Sequence, residues 1–163
     1  MTEILSGYIY GAFFDVDKME CYHIEVNEIC ELSKIAKSKY VQSEIKTDLM
    51  KKMEAKLRND IPVLFVGTPC QCAGVKSYMN CKEIPIDNLL LVDLVCHGTP
   101  GRGVLREYIL HELQHRVKEN LHSFTFRDKK KYSIHFNKQD DRTPYNDFYY
   151  HSFMSSISYR ESC

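Results

Sequence analysis

The sequence predicts an α/β protein: a mixed sheet with parallel strands around residues 61–95, flanked by helices, plus two β-hairpins. Three observations lead there. Two short apolar runs, Val63-Leu64-Phe65-Val66 and Leu89-Leu90-Leu91-Val92-Asp93-Leu94-Val95, alternate with stretches of helical period, an order that favours parallel strands joined by helices. Near each end of the chain, two strand-like runs flank a short polar turn, as in a hairpin. The length of 163 residues, 44% hydrophobic and 27% charged, suits one domain with a core of its own, with a sub-boundary near 118–122.

Taken in order, residues 7–14 (GYIYGAFF) are aromatic and small apolar, hence strand-like. Asp15-Val16-Asp17-Lys18 supplies a turn, and residues 20–26 alternate as the partner strand of a hairpin. Asn27 is a candidate cap for a short helix reaching residue 37, with Ile29, Leu32 and Ile35 or Ala36 at helical spacing. Residues 38–43 (SKYVQS) show no period. A stronger helix is expected over 46–58, where Leu49, Met50, Met53 and Leu57 share a face and Asn59-Asp60 ends it. Methionines in that setting fill a core rather than bind metal.

The strand at 63–66 follows, then a helix over 71–79, the strand at 89–95, and a long helix over 101–117. That last helix should turn Val104, Leu105, Tyr108, Ile109 and Leu113 inward. Residues 123–127 and 132–136 form the second hairpin around Asp128-Lys129-Lys130-Lys131, a solvated tip rather than a nucleic-acid patch. A final aromatic-rich helix is expected over 147–157.

Charge excludes some functions. Lys and Arg number 22, as do Asp and Glu, so nothing electrostatic draws this chain to nucleic acid or an anionic membrane. No apolar run approaches the roughly 20 residues of a membrane span. Met1-Thr2-Glu3-Ile4 places an acid where a signal peptide carries basic residues. A cytoplasmic protein is expected, in which seven cysteines, an odd number, do not suggest a disulfide framework.

Two of those cysteines stand out. Gly67-Thr68-Pro69-Cys70-Gln71 and Val95-Cys96-His97-Gly98 each follow an apolar run, and the carboxyl ends of strands in open α/β sheets are where ligands bind. A helix starting near Gln71 would aim its first amides and its dipole at the Cys70 sulfur, favouring a thiolate. That suits a metal ligand or a nucleophile alike. Zinc is disfavoured, because Cys70 and Cys72 are one residue apart and Cys96 adjoins His97, whereas structural zinc sites use pairs spaced C-x₂-C. Iron–sulfur clusters accept ligands scattered in sequence; Cys70, Cys96 and Cys163 would supply three of four thiolates. His97 can touch a cofactor, donate a hydrogen bond or serve structure. A Cys70–His97 nucleophilic pair stays open. Cys21, Cys30, Cys72 and Cys81 are expected to be structural, since free cysteine is commonly buried. No G-x-G-x-x-G, Walker loop or G-x-S-x-G occurs.

The same residues resemble a known family, the beta subunits of coenzyme F420 hydrogenases and dehydrogenases. The resemblance rests on Gly-Thr-Pro-Cys-Gln at 67–71 with Ala73-Gly74-Val75-Lys76, and on residues 88–100 (NLLLVDLVCHGTP). It extends to Tyr10-Gly11-Ala12-Phe13-Phe14-Asp15, to residues 38–43, to residues 124–130 and to Tyr159-Arg160-Glu161-Ser162-Cys163, so it covers nearly the whole chain.

The resemblance implies a flavin and iron–sulfur oxidoreductase, in which FAD exchanges a hydride with a partner and clusters pass single electrons onward. Carried over by residue, it implies Cys70, Cys96 and Cys163 as ligands of a 4Fe–4S cluster; their place beside those cysteines makes Gly67, Thr68 and His97 the candidates for the flavin neighbourhood. The implied partner is a deazaflavin coenzyme, ferredoxin or another electron-transfer subunit. Family members have more chain before the first strand and a further cysteine two residues beyond the one matched by Cys163, so the expectation is a fragment. The alternative is a non-catalytic remnant or interaction module that keeps the fold without its cofactors.

Overall fold

The computed structural model describes residues 4–115, 123–127, 134–136 and 145–160. Its chain forms two compact units. The first gathers the described residues within Met1–Phe13, Tyr22–Ala36 and Glu44–Cys96; the second those within Phe14–Cys21, Lys37–Ser43 and His97–Cys163.

The first unit is built on a four-stranded sheet in the order β2-β1-β3-β4. Strand β1 (Ile4–Asp15) turns back into β2 (Glu20–Glu28) as the predicted hairpin, the sheet's one antiparallel pair. Strand β1 also pairs in parallel with β3 (Val63–Gly67), with Tyr8 opposite Val63 and Tyr10 opposite Phe65. β3 in turn pairs in parallel with β4 (Leu89–Asp93), Val63 opposite Leu89 and Gly67 opposite Asp93. The mixed α/β sheet is thus as the sequence predicts.

Alternation decides which side of this sheet is covered. Val63, Phe65 and Gly67 are buried while Leu64 and Val66 are half-buried. Helix α2 (Thr47–Arg58) contributes Leu49, Met53 and Leu57, spaced four apart, and α3 (Pro69–Cys81) contributes Cys72, Val75 and Met79. These side chains close over Tyr10, Val63 and Phe65 as one core, with Leu89 and Leu91 packed against it. The other face of β4 is left open, with Leu90 62% exposed and Val92 exposed beside it. Asn88 ties the loop before β4 to the end of α2 by donating to the Asp60 carboxylate at 2.6 Å.

The short helix expected to begin at Asn27 is corrected. β2 runs on through Asn27 to Glu28, then a 3₁₀ turn (Ile29–Glu31) leads into a single helical turn, α1 (Leu32–Ile35). Ile29 is exposed, so the apolar spacing there had no core to face.

The second unit holds α4 (Arg102–His115), the hairpin β5 (Phe124–Thr125) and β6 (His135–Phe136), and α5 (Phe148–Met154). The hairpin pairs Phe124 with Phe136 and Thr125 with His135; its lysine tip lies outside the described residues. Helix α4 buries Leu105, Tyr108 and Ile109, whereas Val104 is exposed: it stands about a quarter turn from the centre of that stripe. Asp147 caps α5, its carboxylate accepting from the Tyr150 amide at 2.9 Å and from the Tyr108 hydroxyl. Phe14, Tyr40, Phe124, Phe126, Tyr149, Tyr150 and Phe153 pack ring against ring in this unit.

Candidate functional site

The carboxyl edge of the parallel strands starts from β3. Thr68 leaves the strand in extended conformation and caps α3, Pro69 takes the first helical position and Gln71 the third, a Thr-x-x-Gln capping box. The helix therefore begins two residues earlier than the sequence predicts, and Cys70 sits inside its first turn. Gly67 is required by its neighbours: a Cβ would stand 2.7 Å from the Phe65 ring and 3.1 Å from Gln71 Oε1.

The hydrogen bonds around Cys70 have one proton to share. The Thr68 amide donates to Gln71 Oε1 at 3.0 Å, and the Thr68 hydroxyl donates to the same oxygen at 3.1 Å. The Cys70 sulfur lies 3.2 Å from that hydroxyl. A hydroxyl carries a single proton, so while it serves Gln71 the Cys70 thiol is the donor. Once Cys70 is a thiolate the hydroxyl can turn to the sulfur, because Gln71 Oε1 keeps the Thr68 amide.

β4 delivers the second cysteine. The Leu94 amide donates to the Gly67 carbonyl at 2.8 Å, holding the end of β4 beside the end of β3. The strand stops at Asp93 rather than at residue 95; Leu94 and Val95 run exposed into Cys96, itself exposed. Cys70 and Cys96 thus each follow, by three residues, the register pair Gly67–Asp93 on neighbouring parallel strands. Cys72 differs. It is buried on the core face of α3, where burial and then the Asp93 carboxylate push its thiol up to about 12.

His97 opens the second unit. Its Nδ1 lies 3.0 Å from the Tyr159 hydroxyl, and its ring packs near Phe153 and Tyr159. Gly98 has φ +132°, and a Cβ there would stand 2.1 Å from Tyr159 Cδ2, so the ring lies directly over the glycine backbone. Tyr159 bridges Pro100 in antiparallel fashion, and the Arg160 amide donates to the Thr99 carbonyl at 3.3 Å. The Gln42 amide donates to the Pro100 carbonyl at 3.1 Å, which ties the aperiodic segment 38–43 to this same loop.

Of the predicted site residues, Gly67, Thr68 and Cys70 lie together at the start of α3. Cys96 leaves the adjacent strand, His97 belongs to the second unit, and Cys163 lies outside the described residues. Among the described residues no group of three or more His, Cys, Asp or Glu side chains is arranged to hold a metal ion. The sequence assigned no role to Tyr159 or Gly98, although each lies in a motif that carries the resemblance, Gly98 in Cys-His-Gly-Thr-Pro and Tyr159 in Tyr-Arg-Glu-Ser-Cys.

A mixed α/β sheet with a cysteine shortly beyond the carboxyl end of each of two neighbouring parallel strands defines the fold class. Within it, the family described as the C terminus of the coenzyme F420 hydrogenase/dehydrogenase beta subunit matches residues 61–163, well over half of the chain. The chain belongs to that redox-enzyme family. No curated protein matches it. No described helix is long and apolar enough to cross a membrane.

Proposed function

We propose that the chain is part of a flavin-dependent iron–sulfur oxidoreductase that moves electrons between a hydride carrier, coenzyme F420 or a similar deazaflavin, and iron–sulfur clusters. The observation that carries this is the pair of exposed cysteines, each three residues beyond the Gly67–Asp93 register pair. When bound, a flavin converts between two-electron hydride transfer and one-electron steps, and a thiolate-ligated cluster holds single electrons.

The residues present fit those groups in kind. Cys70, in the first turn of α3, and Cys96 are the described thiols that would hold a 4Fe–4S cluster, with Cys163 as a third ligand. Cys72 is unsuited, because its thiol is buried and held protonated. Thr68 would donate to the Cys70 sulfur and so steady its charge. Gly67 would shape the turn beside the flavin, and His97 would offer it a ring nitrogen. Ferredoxin or another electron-transfer subunit would be the one-electron partner.

Anaerobic reconstitution of the chain with ferrous iron, sulfide and FAD tests this. Bound iron and acid-labile sulfide are expected in the wild type and lost in both Cys70→Ser and Cys96→Ser, while Cys81→Ser retains them. Equal iron in wild type and Cys70→Ser would overturn the ligand assignment. No uptake of iron or FAD would favour the alternative, an interaction module without cofactors.

A further inference from the structure

Tyr159 holds His97 in a way that packing alone does not require. Its hydroxyl reaches Nδ1 of the imidazole at 3.0 Å, while its ring is fixed independently of that bond. The backbone of residue 159 bridges Pro100, the next amide is bonded to Thr99, and the ring lies over Gly98, where no side chain would fit. The Phe153 ring contacts both members of the pair, with centroids 5.6 Å from Tyr159 and 6.2 Å from His97. Phe153 is buried and His97 is exposed, so the pair is held from within and presents its imidazole outward.

This arrangement bears on the tautomer. A neutral imidazole has one nitrogen that donates and one that accepts, and the partner of one nitrogen sets the role of the other. A phenol is a better donor than acceptor, so the Tyr159 hydroxyl donates and Nδ1 accepts. The proton then resides on Nε2.

We infer that Tyr159 is a positioning residue for His97, fixing the Nε2–H tautomer so that the Cys-His-Gly loop offers one outward N–H to an acceptor on a planar redox cofactor. The role toward a cofactor rests on the function proposed above; the tautomer does not. Acceptors of the right chemistry are a carbonyl oxygen or an unprotonated ring nitrogen of a flavin or deazaflavin. An ammonium group, bringing only donors, would gain nothing from Nε2–H.

Ring nitrogen shifts from long-range proton–nitrogen correlation spectra of the nitrogen-15-labelled chain test this. His97→Gln assigns the signals. The wild type is expected to show an unprotonated Nδ1 and a protonated Nε2. Tyr159→Phe keeps the ring over Gly98 and removes only the hydroxyl, so the preference should weaken by roughly fivefold, the worth of one net hydrogen bond.

A wild-type ring protonated at Nδ1, or a ratio unchanged in Tyr159→Phe, would overturn the inference; the first needs no variant to fold. FAD titration, followed by flavin fluorescence, separates this from the functional proposal. Weaker binding by Tyr159→Phe, together with the tautomer change, supports the cofactor-facing role. Equal binding by Tyr159→Phe and wild type overturns that role. A wild type with the expected tautomer and no affinity for FAD overturns the flavin assignment and leaves the Tyr159–His97 pairing standing.

Discussion

Replacing Gly98 with alanine should open the His97 loop without disturbing the sheet. Two effects combine at that position. With φ at +132°, the backbone lies where residues bearing a Cβ are strained, which costs about 1–3 kcal/mol. The new methyl group would also stand 2.1 Å from Tyr159 Cδ2, against the 3.4 Å at which ordinary contact begins, so the ring must retreat by about 1.3 Å. That retreat breaks the Tyr159–His97 hydrogen bond, worth about 1 kcal/mol. It also loosens the Phe153 contact, worth about 0.5–1.5 kcal/mol. A local loss of at least about 2 kcal/mol is expected, or about thirtyfold in an opening equilibrium. Amide hydrogen exchange reads it directly, because the Arg160 amide is protected by the Thr99 carbonyl. Exchange at Arg160 should accelerate by that factor while amides of β3 stay unchanged. Acceleration below about threefold would mean that Tyr159 does not lie over Gly98, and the reasoning would fail.

Four further outcomes follow from the same structure. Phe65→Ala removes a fully buried ring stacked on His23 with centroids 4.9 Å apart, and should cost about 3–5 kcal/mol in chemical denaturation; a loss under about 1 kcal/mol would contradict its central place in the core. Tyr108→Phe takes a hydroxyl from the buried Asp147 carboxylate that also caps α5, so about 1.5–3 kcal/mol should be lost, and unchanged stability would refute the bond. Burial pushes the thiols of Cys21 and Cys72 up to about 12, so in the native protein iodoacetamide should modify exposed Cys70 well before either. By linkage, these two thiols keep protons that the unfolded chain releases, so stability should fall as pH rises from the ordinary thiol range toward about 12. Equal alkylation rates at the three cysteines, or a flat stability profile there, would oppose this.

Much of the architecture could be read from local pattern. The run Val63-Leu64-Phe65-Val66 becomes a buried strand because both its neighbours in the sheet are apolar, and Leu49, Met53 and Leu57 form a core stripe because their spacing matches the helical turn. Other elements depended on what lies across from them. The apolar spacing of Ile29, Leu32 and Ile35 suggested a helix from Asn27, yet β2 continues through Asn27, since the sheet offers hydrogen bonds that a short helix without a core does not. Val104 carried the right period for burial and is exposed, because a face can be buried only where another element covers it.

The sequence by itself determined where the candidate residues lie: Cys70 after Gly-Thr-Pro, Cys96 beside His97, and a strand before each to deliver it. Periodicity and motif spacing are local properties, and they survive without knowledge of the fold. Only the tertiary structure decided how those residues are held. It started α3 at Pro69, which put Cys70 inside the first turn and under the Thr68 hydroxyl. It matched Gly67 to Asp93 and so set the two cysteine loops on one edge. It also carried Tyr159, 62 residues on in sequence, onto the backbone of Gly98 and into reach of His97. Such pairings depend on register and on side-chain contacts between distant segments. No local pattern encodes them, because each arises only when the whole chain has packed.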